Sequence, residues 1–215
     1  MMNRLFETII LYIVLFLSGS IGQAAIAVSK ETLAVSIGTE LYRIFMYNLP
    51  SLALLWYLIY RGPRFRLRSV KPHKDDLVAA AICLPALMLT GLSVALISPQ
   101  FSGIPQGAAV IPPSGLLTWL VLIFSCITTG YLEESYFRYY LLTRHEDLGI
   151  GPFRAVLVST LLFAICHIYE GPWGFLNAVL SGFLLGFIFL RYKSLHGIAV
   201  AHGMYNVFVY AMAAL

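Results

Sequence analysis

The sequence predicts an all-α, polytopic membrane helical bundle of about seven transmembrane helices, within a range of six to eight. Hydrophobic residues make up 60% of the 215-residue chain and charged residues only 11%. A soluble domain carries roughly a quarter of its residues as Asp, Glu, Lys or Arg. The mean hydropathy of +0.83 agrees. Apolar runs near the ~20 residues needed to cross a ~30 Å hydrocarbon core recur along the whole chain. Basic residues, finally, gather in a few short loops. This balance excludes a nucleic-acid-binding domain, a disordered chain and an ordinary cytosolic enzyme.

The apolar runs fall at about Leu5–Val28, Leu41–Tyr60, Leu77–Ile97, Leu116–Leu142, Ala155–Ile168, Phe175–Leu190 and Leu195–Leu215. The first resembles a signal peptide, with Arg4 ahead of it and the small residues Ala25 and Ala27 at its end. Its length and the acidic Glu7 favour an uncleaved span. The fourth is long, about 40 Å at 1.5 Å per residue, and the fifth and sixth are short, so their tilts must differ.

Short cytoplasmic loops collect Lys and Arg. Arg61, Arg64, Arg66, Arg68, Lys71 and Lys74 crowd one loop, and Arg4, Arg144, Arg154, Arg191 and Lys193 fall on the same side of a seven-span chain. Only Lys30 and Arg43 lie opposite. The N-terminus is therefore expected in the cytoplasm and the C-terminus outside, with the charge-free loop Ser98–Gly115 facing out. The basic loop is also suited to anionic lipid headgroups. No repeat, heptad or phosphate-binding loop is evident, so residues 1–215 read as a single integral membrane domain. Cys83, Cys126 and Cys166 all lie inside apolar runs without motif spacing, which supports neither a disulfide framework nor a thiolate zinc site.

Of the ten acidic residues, eight are expected at span ends or in loops where water solvates them. Glu133 and Glu134 lie inside the fourth run, where a carboxylate costs on the order of 3 kcal/mol and is by default a functional candidate. Arg138 follows Glu134 by one helical turn and can pair with it. Glu133 is turned about 100° away, which leaves one carboxylate held and its neighbour free. The same three residues also suit a packing network that fixes helix register.

Histidine supplies the second signal. His167 ends the fifth run four residues after Phe163, and His202 precedes Asn206 by four in the last. Each pair shares a helix face, so Phe163 can restrict the His167 ring while His202 and Asn206 aim two donors at one point. Counting 1.5 Å per residue from the inner ends puts Glu133 about 14 Å, His167 about 18 Å and His202 about 10 Å into the bilayer. That common layer lies in the inner half, which favours an opening to the cytoplasm. His145 and Glu146 lack the second His of a zinc-protease helix, because position 149 is Gly. His73, His145 and His196 lie near loops and are expected to be solvated. Trp56, Tyr57, Tyr60 and Trp173 at the span ends suit an interfacial belt.

Glu-Glu-x-x-x-Arg, Phe-x-x-x-His and His-x-x-x-Asn, in that order on successive hydrophobic segments, resemble the type II CAAX prenyl endopeptidases and the wider CPBP or Abi family of CAAX proteases and bacteriocin-processing proteins. The motifs span Glu133–Asn206. The resemblance implies a CAAX protease-like catalytic core over residues 116–210, preceded by helices in 1–110 that carry no signature. It implies an intramembrane peptidase in which Glu133 and His167 activate a water and His202 with Asn206 forms the oxyanion hole. Glu134, Arg138 and Phe163 are supporting residues. A metal-free glutamate mechanism is favoured, so no cofactor is expected; the alternative is a zinc ion held by Glu133, His167 and His202. The expected partners are the lipid bilayer and a peptide or membrane-protein substrate, which the resemblance allows to be lipidated, and not nucleic acid. Two other classes fit the same composition: a self-immunity or scaffolding protein of this fold, and a proton-coupled transporter, although paired broken helices and repeats are missing.

Overall fold

The computed structural model describes residues 2–21, 33–61, 70–98, 110–111, 113–143 and 149–213. Among the described residues it contains seven helices. The first, α1, comprises Met2–Tyr12 and a π-helical stretch, Ile13–Leu17, and continues to residue 21. The second, α2, comprises Ile37–Tyr42, a π-helical stretch Arg43–Asn48 and Leu49–Arg61. Then come α3 (Lys74–Ile97) and α4, which runs Leu116–Glu134, turns π-helical over Ser135–Tyr140 and ends in Leu141–Thr143. The last three are α5 (Pro152–Cys166), α6 (Gly171–Tyr192) and α7 (Leu195–Met212). A two-residue parallel pairing, Leu33–Ala34 with Val110–Ile111, ties two connections together without altering the all-α character.

Local chemistry sets these boundaries. The side chains of Ser36 and Ser194 cap α2 and α7 by accepting from Thr39 N and Gly197 N, each at 3.1 Å. Asp76 reaches back to the His73 N–H at 2.8 Å to close the first turn of α3, which satisfies donors that a helix start leaves unpaired. Pro152 opens α5, and Lys193, with φ of 52°, ends α6 in the left-handed region. Lys74–Ile97, Leu116–Thr143 and Ile168–Tyr192 are long and apolar enough to cross a membrane, while Leu5–Ile21 and Pro152–Cys166 are shorter.

At the centre, α7 packs on α4 and α3, α5 packs on α6, and α6 packs on α3. All six residues of the π-helical stretch in α4 are buried. Phe16 of α1 lies 5.0 Å from the Tyr136 ring and 4.7 Å from that of Phe137. The Tyr136 hydroxyl donates to the Thr8 carbonyl at 2.8 Å, and Tyr140 donates to Glu7 at 2.7 Å. Glu7, read from the sequence as a charge near the chain start, thus anchors α1 to the C-terminal end of α4.

The structure corrects several expectations. Glu40 is not solvated at a span end: it is 2% exposed and paired with Arg43 at 3.2 Å. His196 is not free in water either, because its Nε2 meets the Val70 carbonyl at 2.7 Å and its Nδ1 the Tyr131 hydroxyl at 3.0 Å. His73 is partly buried beside Asp76, at 3.5 Å. The fifth helix stops at Cys166, so His167 stands outside it. The three cysteines are free and buried, as their apolar surroundings suggested. His145 and Glu146, the proposed cleavage positions Ala25 and Ala27, and most of the loop Ser98–Gly115 lie outside the described residues.

Candidate active site

Glu133 and Glu134 occupy the last turn of α4 before it becomes π-helical, a departure from α-geometry that recurs at functional sites. Glu134 and Arg138 are both 0% exposed and meet at 2.9 Å. A buried guanidinium needs more than one partner: Arg138 also donates to the Gly182 carbonyl on α6 at 3.4 Å and lies 4.6 Å above the Phe163 ring. His202, 4% exposed, enters from α7. Its Nδ1 is 2.8 Å from Glu134 Oε1, the oxygen that already accepts from Arg138. Its Nε2 faces Glu133 Oε2 at 3.6 Å, too far for a direct hydrogen bond.

Two glycines allow this encounter. A Cβ on Gly130 would sit 2.6 Å from the Ala199 carbonyl oxygen, and one on Gly203 only 2.8 Å from the Cα of Ile127. Larger residues at either place would push α4 and α7 apart, since small residues let membrane helices approach closely. The sequence reading missed both glycines; their signal was a small residue beside each motif in an apolar helix. It also missed Asn48, a fully buried polar residue in an apolar run, whose amide donates to Thr128 at 2.9 Å and Thr129 at 3.0 Å and ties α2 to α4.

Phe163 links the remaining groups. Its ring centroid is 4.4 Å from that of His167 and 5.7 Å from that of His202. His167 Nδ1 lies 2.7 Å from the Phe163 carbonyl. A carbonyl only accepts, so Nδ1 carries a proton there, and Nε2 of the neutral ring is left as an acceptor. Asn206 follows His202 by one turn and is half-buried; among the described residues no hydrogen bond joins it to the cluster. The structure thus brings Glu133, Glu134, Arg138, Phe163 and His202 together, sets His167 at a tilt against the Phe163 ring, and leaves Asn206 alongside.

Residues 115–208 match the family model described as type II CAAX prenyl endopeptidase Rce1-like. Over these residues the chain is similar to that family. The matched segment contains every member of the cluster, runs from the residue before α4 into α7, and ends two residues after Asn206. Neither a curated protein nor a solved structure matches the chain. This match and the three long apolar helices among the described residues point to an integral membrane protein.

The zinc alternative requires Glu133, His167 and His202 on one ion. Among the described residues no group of three or more His, Cys, Asp or Glu side chains is gathered closely enough to hold a metal. A carboxylate, Glu134, stands on His202 Nδ1, and a carboxylate there is also the usual partner of a metal-bound imidazole.

Proposed function

We propose that this chain is an intramembrane endopeptidase that hydrolyses a peptide bond with a water activated by Glu133, without a metal. One observation supports this above others: the two adjacent glutamates are treated differently. The buried Oε2 of each lacks a hydrogen-bond partner among the described residues, but Glu134 is sealed and its Oε1 accepts from both Arg138 and His202, whereas the Glu133 side chain is 14% exposed and held by neither. A carboxylate left unpaired beside a fixed imidazole is suited to take up a proton.

In this reading Glu133 removes a proton from water, whose oxygen attacks the carbonyl carbon, and His167 Nε2 accepts the water's second hydrogen. The oxyanion accepts from His202 Nε2–H and the Asn206 amide. His202 Nδ1 already donates to Glu134, so donation from Nε2 requires both ring protons, and the two carboxylates balance the resulting charge. Glu133 then returns its proton to the leaving nitrogen as the C–N bond breaks. Asn206→Ala and His202→Ala should each lower turnover about 10²–10³-fold, the scale of one oxyanion donor, with substrate affinity nearly unchanged. Affinity that falls as far as turnover would assign these residues to substrate binding instead.

Metal dependence has its own test. Purified protein should keep its peptidase activity after chelation and dialysis, and zinc should neither copurify stoichiometrically nor raise the rate. A zinc enzyme behaves oppositely, because its water acidity comes from the ion.

The substrate is a peptide or membrane-protein segment, and the family points to a prenylated one. The proposed topology has the basic loop in the cytoplasm. Single cysteines introduced near Arg66 should be labelled only from the cytoplasmic side, and those near Gly107 only from outside. The three native cysteines are buried, which keeps the background low. The reverse pattern overturns the orientation.

A further inference from the structure

Asn48 does more than tie α2 to α4. Its side chain is 0% exposed, and its Nδ2 meets Thr128 Oγ1 at 2.9 Å and Thr129 Oγ1 at 3.0 Å. The Thr128 hydroxyl donates to the Ser125 carbonyl at 2.9 Å. Towards Asn48 it can therefore only accept, and the amide must present its nitrogen. That orientation is kept although Oδ1 is left without a hydrogen-bond partner among the described residues. The two N–H groups serve the two threonines, so Thr129 Oγ1 accepts as well. The hydrogen of this half-buried Thr129 hydroxyl has no acceptor among the described residues. An unmade hydrogen bond is costly where lipid replaces water, which points this O–H at a ligand.

Register supplies the direction. Thr129 precedes Glu133 by one turn, so the two share a face of α4, with Cβ atoms about 5–6 Å apart. Helical side chains lean towards the N-terminus of their helix, which carries the Glu133 carboxylate back over the turn of Thr129. Its contact agrees: Oε2 faces His202, whose neighbour Gly203 packs against Gly130, the residue after Thr129. From α2, Tyr47 beside Asn48 lies within electrostatic range of Glu133. Among the described residues no direct hydrogen bond joins Thr129 to Glu133, and Glu133 Oε2 is buried and unpartnered. One water, with a hydrogen bond of about 2.8 Å on either side, spans up to about 5.6 Å.

We infer that the Thr129 hydroxyl, turned by Asn48, donates to the water that Glu133 activates and holds its attacking oxygen in place. The inference rests on the peptidase reading and completes the coordination of that water. Its two hydrogens go to Glu133 Oε2 and His167 Nε2, one lone pair attacks the carbonyl carbon, and the other accepts from Thr129. Thr129 keeps its proton throughout and leaves the proton balance of the reaction unchanged; it supplies orientation. Asn48 touches no reacting atom and is a positioning residue. Without it, the Thr129 hydroxyl is free to turn back onto the Ser125 carbonyl, one turn earlier on α4, as threonines in helices do.

Two measurements on the full chain test this. The first is a crystal structure, grown from lipid, at a resolution that shows ordered water. The wild type should hold a water within hydrogen-bond distance of both Thr129 Oγ1 and Glu133 Oε2, and Thr129→Val should lack it. No such water in the wild type, or the same water in Thr129→Val, overturns the inference. The second is cleavage of a quenched fluorescent peptide, an S-farnesyl cysteine followed by three apolar residues. Thr129→Val, close in shape, should lower kcat about 10-fold, the scale of one hydrogen bond, with KM nearly unchanged. Thr129→Ser, which keeps the hydroxyl, should recover most of that loss. Asn48→Ala should lower kcat by a similar factor; because it also removes a tie between two helices, Thr129→Val decides. An undiminished kcat in Thr129→Val overturns the inference, and so does a raised KM at constant kcat, which would assign the hydroxyl to substrate binding. If the wild type cleaves no peptide while its structure holds the bridging water, the peptidase reading fails and the water site stands.

Discussion

Glu133→Gln is expected to lower turnover about 10²–10⁴-fold, the contribution of a positioned general base, while the protein stays folded. The substitution preserves shape and removes only the capacity to take a proton. Little structure depends on that carboxylate: Oε2 has no hydrogen-bond partner among the described residues, and the 3.6 Å gap to His202 Nε2 is too long for a hydrogen bond. The measurement is cleavage by purified protein, supported by mass spectrometry of membrane peptides from cells holding the wild type or the variant, with thermal unfolding recorded alongside. Full activity in Glu133→Gln would sink the mechanism. A carrier gives a different result, a substrate-dependent proton flux that Glu133→Gln abolishes, with no peptide product in either protein.

The largest effect on stability is expected from Arg138→Met, at about 3–5 kcal/mol, because removing one partner of a buried ion pair leaves the other charge uncompensated. Glu134 would keep only the His202 contact at 2.8 Å, in a place where it is 0% exposed. The Phe163 ring would also lose the guanidinium 4.6 Å away. Glu134→Gln combined with Arg138→Met should be markedly less destabilised than Arg138→Met alone, since no buried charge is then stranded, and the double-mutant cycle measures that coupling. Thermal unfolding in detergent of the two single variants and the double variant decides it. Additive losses would mean that the two residues act independently, contrary to their contact.

The glycines between α4 and α7 explain how these two helices bring Glu133, Glu134 and His202 together. At Gly130 and Gly203 the backbones approach so closely that a methyl group would overlap the facing main chain. His202, next to Gly203, is thereby brought within reach of Glu134, one turn beyond Gly130. Phe163 performs a related service by lying against Arg138, His167 and His202 at once, which limits how far either imidazole can rotate.

The sequence by itself determined the solvent, the secondary structure and the local pairs. Apolar runs long enough for a bilayer leave the backbone no stable choice but helix. On a helix, contacts four residues apart follow from the pitch, so Glu134 with Arg138 and Phe163 with His167 could be read directly. Tertiary structure decided everything that needed two helices. It placed one nitrogen of His202 on Glu134 and aimed the other at Glu133. It also turned α4 π-helical right after the glutamates, buried Glu40 beneath Arg43, and held His196 between Tyr131 and the Val70 carbonyl. None of these could be read from spacing, because hydropathy says how deep a residue lies along its own helix and nothing about which neighbour it faces. That second quantity is set by how closely the helices pack, here by two glycines whose only contribution is the absence of a side chain.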